Sequence, residues 1–265
     1  MGAAGAVTAY LVESWAPNGA GGPNRTLHAY SNAPFVRLSV NGVPVGPDIA
    51  MPTFGVVTWH NVTYAPGTAT VAALSSRGSS PIASHTRYSW GAPTAVLLNI
   101  DVPSLATGTG SAVYLDGTDV ALLRATIIDA TGNAVSNSVA NVTFTVTAGP
   151  GLLLGTVNGD PACHVANNAA WKPAYHGIVR AIVRANVVAV GMDRDMLAAV
   201  NTDAGVGPLA APILPAGTAP PTSMTITATS PGLAPSSVTV LLSVSAADHV
   251  LAVAAASVGV AAITE

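Results

Sequence analysis

The sequence predicts an all-β protein of two antiparallel sandwiches in tandem. Three observations carry that expectation. Hydrophobic residues recur with period two over short runs, Gly, Pro, Asn and Asp punctuate those runs, and 50% of the 265 residues are hydrophobic while only 8% are charged. The first clear strand is Val36-Arg37-Leu38-Ser39-Val40, whose apolar members share one face, and Asn41-Gly42 follows it as a tight hairpin turn. A strand over Ile82–Trp90 closes the first unit, and Gly91-Ala92-Pro93 marks a boundary before a strand over Ala95–Asp101. Leu123, Ala125 and Ile127 then alternate with Arg124, Thr126 and Ile128; Val142, Phe144 and Val146 alternate with Asn141, Thr143 and Thr145. Val179, Ala181 and Val183 lie in a strand over Gly177–Arg184, and Met224, Ile226 and Ala228 in one over Thr222–Thr229. Those last two strands are expected to pair in one sandwich. Short strands at such spacing, with turn signals between them, read as immunoglobulin-like. The expected domains are residues 1–93 and 94–244, with an apolar small-residue tail over 245–265. Residues 186–221 read as an inserted loop or disordered segment, with a helical turn over Met192–Leu197.

Composition excludes several function classes. Nine basic against twelve acidic residues leave a net charge of −3, and Lys172 is the one lysine. Nucleic acid held by counterion release needs a dense basic surface, which scattered arginines do not make. A single cysteine, Cys163, excludes an internal disulfide framework and a cysteine-cluster metal site. The histidines at 28, 60, 85, 164, 176 and 249 show no metal-ligand spacing, so no metal or other cofactor is expected. His164 beside Cys163 is the nearest approach to a site, and an incidental role is the favoured reading. No Gly-x-Ser-x-Gly elbow and no phosphate loop occurs. Glutamate occurs only at Glu13 and Glu265, and the aspartates sit in turn contexts such as Asp116-Gly117-Thr118-Asp119, so no catalytic residue is assigned. Met1–Val7 lacks the basic start and apolar core of a signal peptide. The apolar run Val250–Thr264 is shorter than the roughly 20 residues that cross a bilayer, and no membrane span is expected.

Three sets of residues remain as candidates. Trp15, Trp59, Trp90 and Trp171 lie near strand ends or loops, where an indole either packs in the core or stacks on a sugar ring. Packing is favoured, because large hydrophobes are scarce elsewhere; Trp15, Trp59 and Trp171, with Tyr175, stand as the carbohydrate-binding candidates. Asn24, Asn61 and Asn141 each begin an Asn-x-Thr sequon, a glycosylation site only on a eukaryotic secretory route. Asn158-Gly159-Asp160-Pro161 reads as a structural turn, with Gly159 at positive φ and Asp160 capping; the alternative is an Asp160 ligand to calcium or a sugar hydroxyl.

Two stretches together resemble the C-terminal region of glycoside hydrolase family 2, the β-galactosidase-like enzymes. Tyr30-Ser31-Asn32 through Val36-Arg37-Leu38-Ser39-Val40-Asn41-Gly42 and Gly46 is similar to that family's post-barrel sandwich, as are Trp59 with Tyr64-Ala65-Pro66-Gly67 and the closing Trp90-Gly91-Ala92-Pro93. Leu115-Asp116-Gly117-Thr118-Asp119-Val120, Asp129–Val135, Val142–Val146, Gly155-Thr156-Val157-Asn158-Gly159-Asp160-Pro161, Tyr175-His176-Gly177 and Ala228–Leu233 resemble its fifth domain in order and spacing. The resemblance covers about residues 14–244, and the 186–221 insertion is the main departure.

This resemblance implies that the chemistry lies elsewhere. In the family a (β/α)₈ barrel carries two glutamates as acid/base and nucleophile, and a barrel needs roughly 200 or more residues of its own. The chain is therefore expected to act as non-catalytic accessory domains, with the barrel of a parent enzyme or a carbohydrate as partner. The sequence assigns no compartment; an extracellular or periplasmic one suits the parent enzyme that the resemblance implies. A stand-alone carbohydrate-binding module and a structural immunoglobulin-like spacer are the alternatives.

Overall fold

A computed structural model describes residues 6–17, 23–101, 112–117, 119–189 and 212–244. The chain divides into two units, one running through Gly91 and the other beginning at Ala92. Among the described residues there are strands and turns and no helix, and no helix long and apolar enough to cross a membrane. The helical turn expected over Met192–Leu197 and the tail over 245–265 lie outside the described residues.

The first unit contains β1 (Ala9–Leu11), β2 (Asn24–Ser31), β3 (Phe35–Val40), β4 (Val43–Pro44), β5 (Ile49–Ala50), β6 (Val57–Thr63), β7 (Thr68–Leu74) and β8 (Pro81–Tyr88). They form two antiparallel sheets, β1-β2-β6 and β4-β3-β7-β8, with β5 paired to β3. Period-two alternation puts Leu27 and Ala29 of β2, Val36 and Leu38 of β3, Val57 and Trp59 of β6, and Ala69 and Val71 of β7 into one core with Leu11 and Trp15. Asn41 and Gly42 turn β3 into β4 with both φ values positive, 49° and 80°, as the hairpin signal requires. The strand expected to reach Trp90 stops at Tyr88, because Ser89 turns inward and its hydroxyl accepts the Gly67 N–H at 2.6 Å.

The second unit contains β9 (Pro93–Ile100), β10 (Ala112–Tyr114), β11 (Val120–Asp129), β12 (Asn141–Ala148), β13 (Gly151–Val157), β14 (Trp171–Pro173), β15 (Ile178–Ala185), β16 (Ser223–Thr229) and β17 (Ser236–Ser243). Its sheets are β13-β15-β11-β9 and β10-β17-β16-β12-β14. Leu123, Ala125, Ile127, Val179, Ala181 and Val183 fill the core from the first sheet. Val142, Phe144, Met224, Ile226 and Ala228 fill it from the second. The expectation that the 177–184 and 222–229 strands pair is corrected here: β15 bonds β11 and β13, whereas β16 bonds β12 and β17. Their shared apolar phase arises because both line one core from separate sheets. A turn with Leu233 N–H donating to Ser230 O ends β16, and β17 follows. The two ends of the expected insertion are stitched together by Val188 N–H to Pro212 O (3.0 Å) and Leu214 N–H to Val188 O (2.9 Å).

Phe144 is among the largest fully enclosed side chains of the second unit. Phe144→Ala should therefore lower stability by about 3–5 kcal/mol. Chemical denaturation reads this directly, and an unchanged midpoint would show that the ring contributes nothing to the core.

Candidate functional site

The structure separates the aromatic candidates. Trp15 is buried in the first unit; its Nε1–H donates to Ala65 O at 2.8 Å, and its ring leans on Tyr64 with centroids 4.9 Å apart. Trp59 is buried on the inner face of β6, opposite Leu27. Both are corrected from the carbohydrate-binding set, because an indole enclosed in the core has no face to offer a sugar. Trp90 is half-buried at the end of the first unit. Trp171 is 40% exposed and Tyr175 39% exposed. Their neighbours differ: Trp171 stands on β14 opposite Thr143, and Tyr175 meets His176 edge-on with centroids 4.3 Å apart.

The Asn158–Pro161 turn has the geometry of a cap. Gly159 takes φ 76°, a conformation that costs an L side chain even though a Cβ there would meet nothing within 4 Å. Asn158 Oδ1 accepts Asp160 N–H at 3.1 Å, Asn158 Nδ2 donates to Pro173 O at 2.9 Å, and Asp160 Oδ1 accepts Ala162 N–H at 2.9 Å. The loop that follows folds back over β13, where Thr156 N–H donates to Asn167 O at 2.7 Å. Lys172 is buried beneath it, with Nζ donating to Val165 O at 2.6 Å and lying 4.0 Å from Cys163 Sγ. Among the described residues no three of His, Cys, Asp and Glu gather to hold a metal ion. The sequon residues Asn24, Asn61 and Asn141 are all exposed on strands, Asn61 at φ 57° in β6.

The sequence reading missed a denser group in the first unit. Tyr10 of β1 is the direct cross-strand partner of Tyr30 of β2, and the two are 49% and 52% exposed. Tyr10 stacks on His85 of β8, centroids 4.8 Å apart and planes 13° from parallel. Leu11 N–H donates to His85 Nδ1 at 2.9 Å, and Arg87 Nε donates to Leu11 O at 3.2 Å while its guanidinium lies over the Tyr10 ring. Two residues along, Glu13 binds His28 twice: Oε2 accepts the His28 N–H at 2.7 Å and Oε1 lies 2.5 Å from Nδ1. One signal could have exposed this group. Leu27 and Ala29 alternate with His28 and Tyr30, so burying the first pair turns the second outward.

With this geometry in view, comparison with known proteins places the chain. The family model described as glycoside hydrolase family 2 C-terminal domain 5 matches residues 107–192, and a domain of unknown function, DUF4982, matches residues 22–80. These matches support a C-terminal domain region of glycoside hydrolase family 2. Solved structures agree with the fold. A β-glycosidase from Bacteroides vulgatus superposes with a TM-score of 0.65 at 18% identity, over 89% of this chain and 24% of that one. A family 2 member from Bacteroides cellulosilyticus DSM 14838 gives 0.63 at 18% identity, over 89% and 29% of the two chains. A family 2 β-glucuronidase gives 0.61 at 24% identity, over 89% and 20%. The chain thus spans less than a third of the length of each of these structures. No curated protein sequence matches the chain.

Two tests follow from this geometry. Gly159→Val and Asp160→Ala should each lower stability by roughly 1–3 kcal/mol, with calcium having no effect. A calcium-dependent rise in melting temperature that Asp160→Ala abolishes would reverse the structural assignment. The second test concerns His85, whose pKa is pushed below the ordinary imidazole value by burial and then by the Arg87 charge. The unfolded chain binds this proton more readily, so its contribution is intact above the unfolded value near 6.5 and is lost as pH falls through the folded value. Melting temperature should therefore drop as pH falls below about 6.5, and this drop should shrink in His85→Gln.

Proposed function

We propose that this region serves a family 2 glycosidase as non-catalytic accessory domains, docking against and supporting a catalytic barrel carried outside this sequence. The observation that supports this reading is the disposition of its carboxylates. Retaining glycoside hydrolysis needs two carboxyl groups about 5–5.5 Å apart facing a substrate cleft. Here the one glutamate among the described residues is bound to His28, and the aspartates are committed to backbone N–H groups and arginines. The described residues therefore hold sandwich cores and capped turns, which suit a scaffold. The match over residues 107–192 and the solved β-glycosidase and β-glucuronidase relatives point to the same class of parent enzyme.

The isolated chain should not turn over nitrophenyl β-galactoside, β-glucoside or β-glucuronide. Turnover that is lost on substituting a residue of this chain would overturn the proposal. Co-expression with a family 2 barrel encoded beside it should yield a complex that co-purifies, and a barrel equally stable and active without this chain would also count against it.

A further inference from the structure

We propose that the exposed face of the β1-β2-β6 sheet, centred on Tyr10 and Tyr30, is a carbohydrate-binding platform for a neutral glycan. The register fixes the two tyrosines side by side on antiparallel strands, where directly opposed Cβ atoms are about 5 Å apart. About half of each residue is open to solvent. Tyr10 is held by the stacked His85 ring and by the Arg87 guanidinium over its own ring, so little rotamer freedom remains to be lost on binding. Rigid aromatic rings of this kind offer an apolar face at low entropic cost, matched to the C–H face of a pyranose.

The charges around the rings select the ligand. Arg87 spends donors on Leu11 O and the Tyr10 hydroxyl, and Glu13 spends both oxygens on His28. Arg87 touches Tyr10, and Glu13 holds His28, the outward residue of β2 two before Tyr30, so one cation and one anion on this face give a charged ligand no net counter-charge. A neutral, hydroxyl-rich chain can accept from the remaining Arg87 N–H groups and donate to the second lone pairs of the Glu13 oxygens. Trp171 and Tyr175 lack this arrangement, since the partner opposite Trp171 is Thr143 and Tyr175 is met edge-on by His176.

The ligand class rests on the proposed function, but the test reads binding by this chain alone, so a failed association with a barrel leaves it standing. Native gels containing soluble mixed-linkage β-glucan, galactan or arabinoxylan should retard the chain in at least one case. Tyr30→Ala should cut the retardation at least tenfold in apparent affinity, Tyr30→Phe should preserve it, and Trp171→Ala should leave it unchanged. Melting curves establish that each variant is folded; if Tyr30→Ala is not, Tyr10→Leu takes its place with the same expectation. Absence of retardation in all three polysaccharides overturns the proposal. So does retardation that Tyr30→Ala spares or Trp171→Ala removes. Tyrosine-dependent self-association in sedimentation, without polysaccharide binding, would make the face a protein interface instead.

Discussion

A β-sheet that does not close on itself leaves a row of unpaired N–H and C=O groups at each edge, and this chain has few charged side chains with which to guard them. The architecture depends on satisfying those edges by other means. In the first unit the free edge of β1 is met by side chains of β8: His85 accepts from Leu11 N–H, and Arg87 donates to Leu11 O. The two residues take the place of a ladder strand and tie one sheet of the sandwich to the other. In the second unit the edge of β9 is met by the segment leading into β17, with Val96 N–H donating to Ala234 O, Ala234 N–H to Thr94 O, and Leu98 N–H to Ser236 Oγ. The 158–170 loop does the same for β13 through Thr156 and Asn167. At β10 the Asp119 carboxylate accepts Tyr114 N–H.

This constraint also explains where exposed rings occur. A strand of three residues, as β1 is, cannot bury enough surface to hold itself in place. The Tyr10 ring adds a stack on His85 and a cation–π contact with Arg87, so the ring that remains at the surface is part of the device that anchors the strand. Rigidity at the surface is thus a by-product of edge closure. The same rigidity distinguishes Tyr10 from Phe54, which is fully exposed at positive φ in a turn where Gly55 N–H donates to Pro52 O.

Much of the fold was legible because burial alternates wherever a strand has one wet face. Leu123, Ala125 and Ile127, or Met224, Ile226 and Ala228, carry that phase openly in the sequence. Sheet membership was not legible in the same way. Period two fixes which face of a strand is apolar and says nothing about which neighbour accepts its hydrogen bonds, so β15 and β16 were expected to pair although they lie in different sheets. The aromatic site was hidden for a related reason. Tryptophan is the larger ring and drew the reading first, yet size is what makes Trp15 and Trp59 useful in a core otherwise built of Ala, Val and Leu. Tyr10 sits on a strand too short to show a period, and its partner Tyr30 becomes meaningful only once the register between β1 and β2 is known.

The use of acidic residues carries the same logic into chemistry. Every aspartate among the described residues is engaged in holding backbone or a cation. Asp129 Oδ1 accepts from Thr131 N–H, the Thr131 hydroxyl and Asn133 N–H; Asp116 and Asp119 organise the turn into β11; Asp101 pairs with Arg180. Asp48 is the clearest case. Its carboxylate takes a bidentate pair of bonds from Arg37 at 2.7 and 2.8 Å and another from Gly78 N–H, which hold its pKa down at about 2. Hydrogen bonds to the charged form favour ionisation, the opposite of what a glycosidase acid requires, since that group must keep its proton near neutral pH. Holding Asp48 in this way therefore commits it to the anionic state. The described aspartates thus serve to cap turns and close the sandwiches, a use that suits the scaffold role proposed for this region.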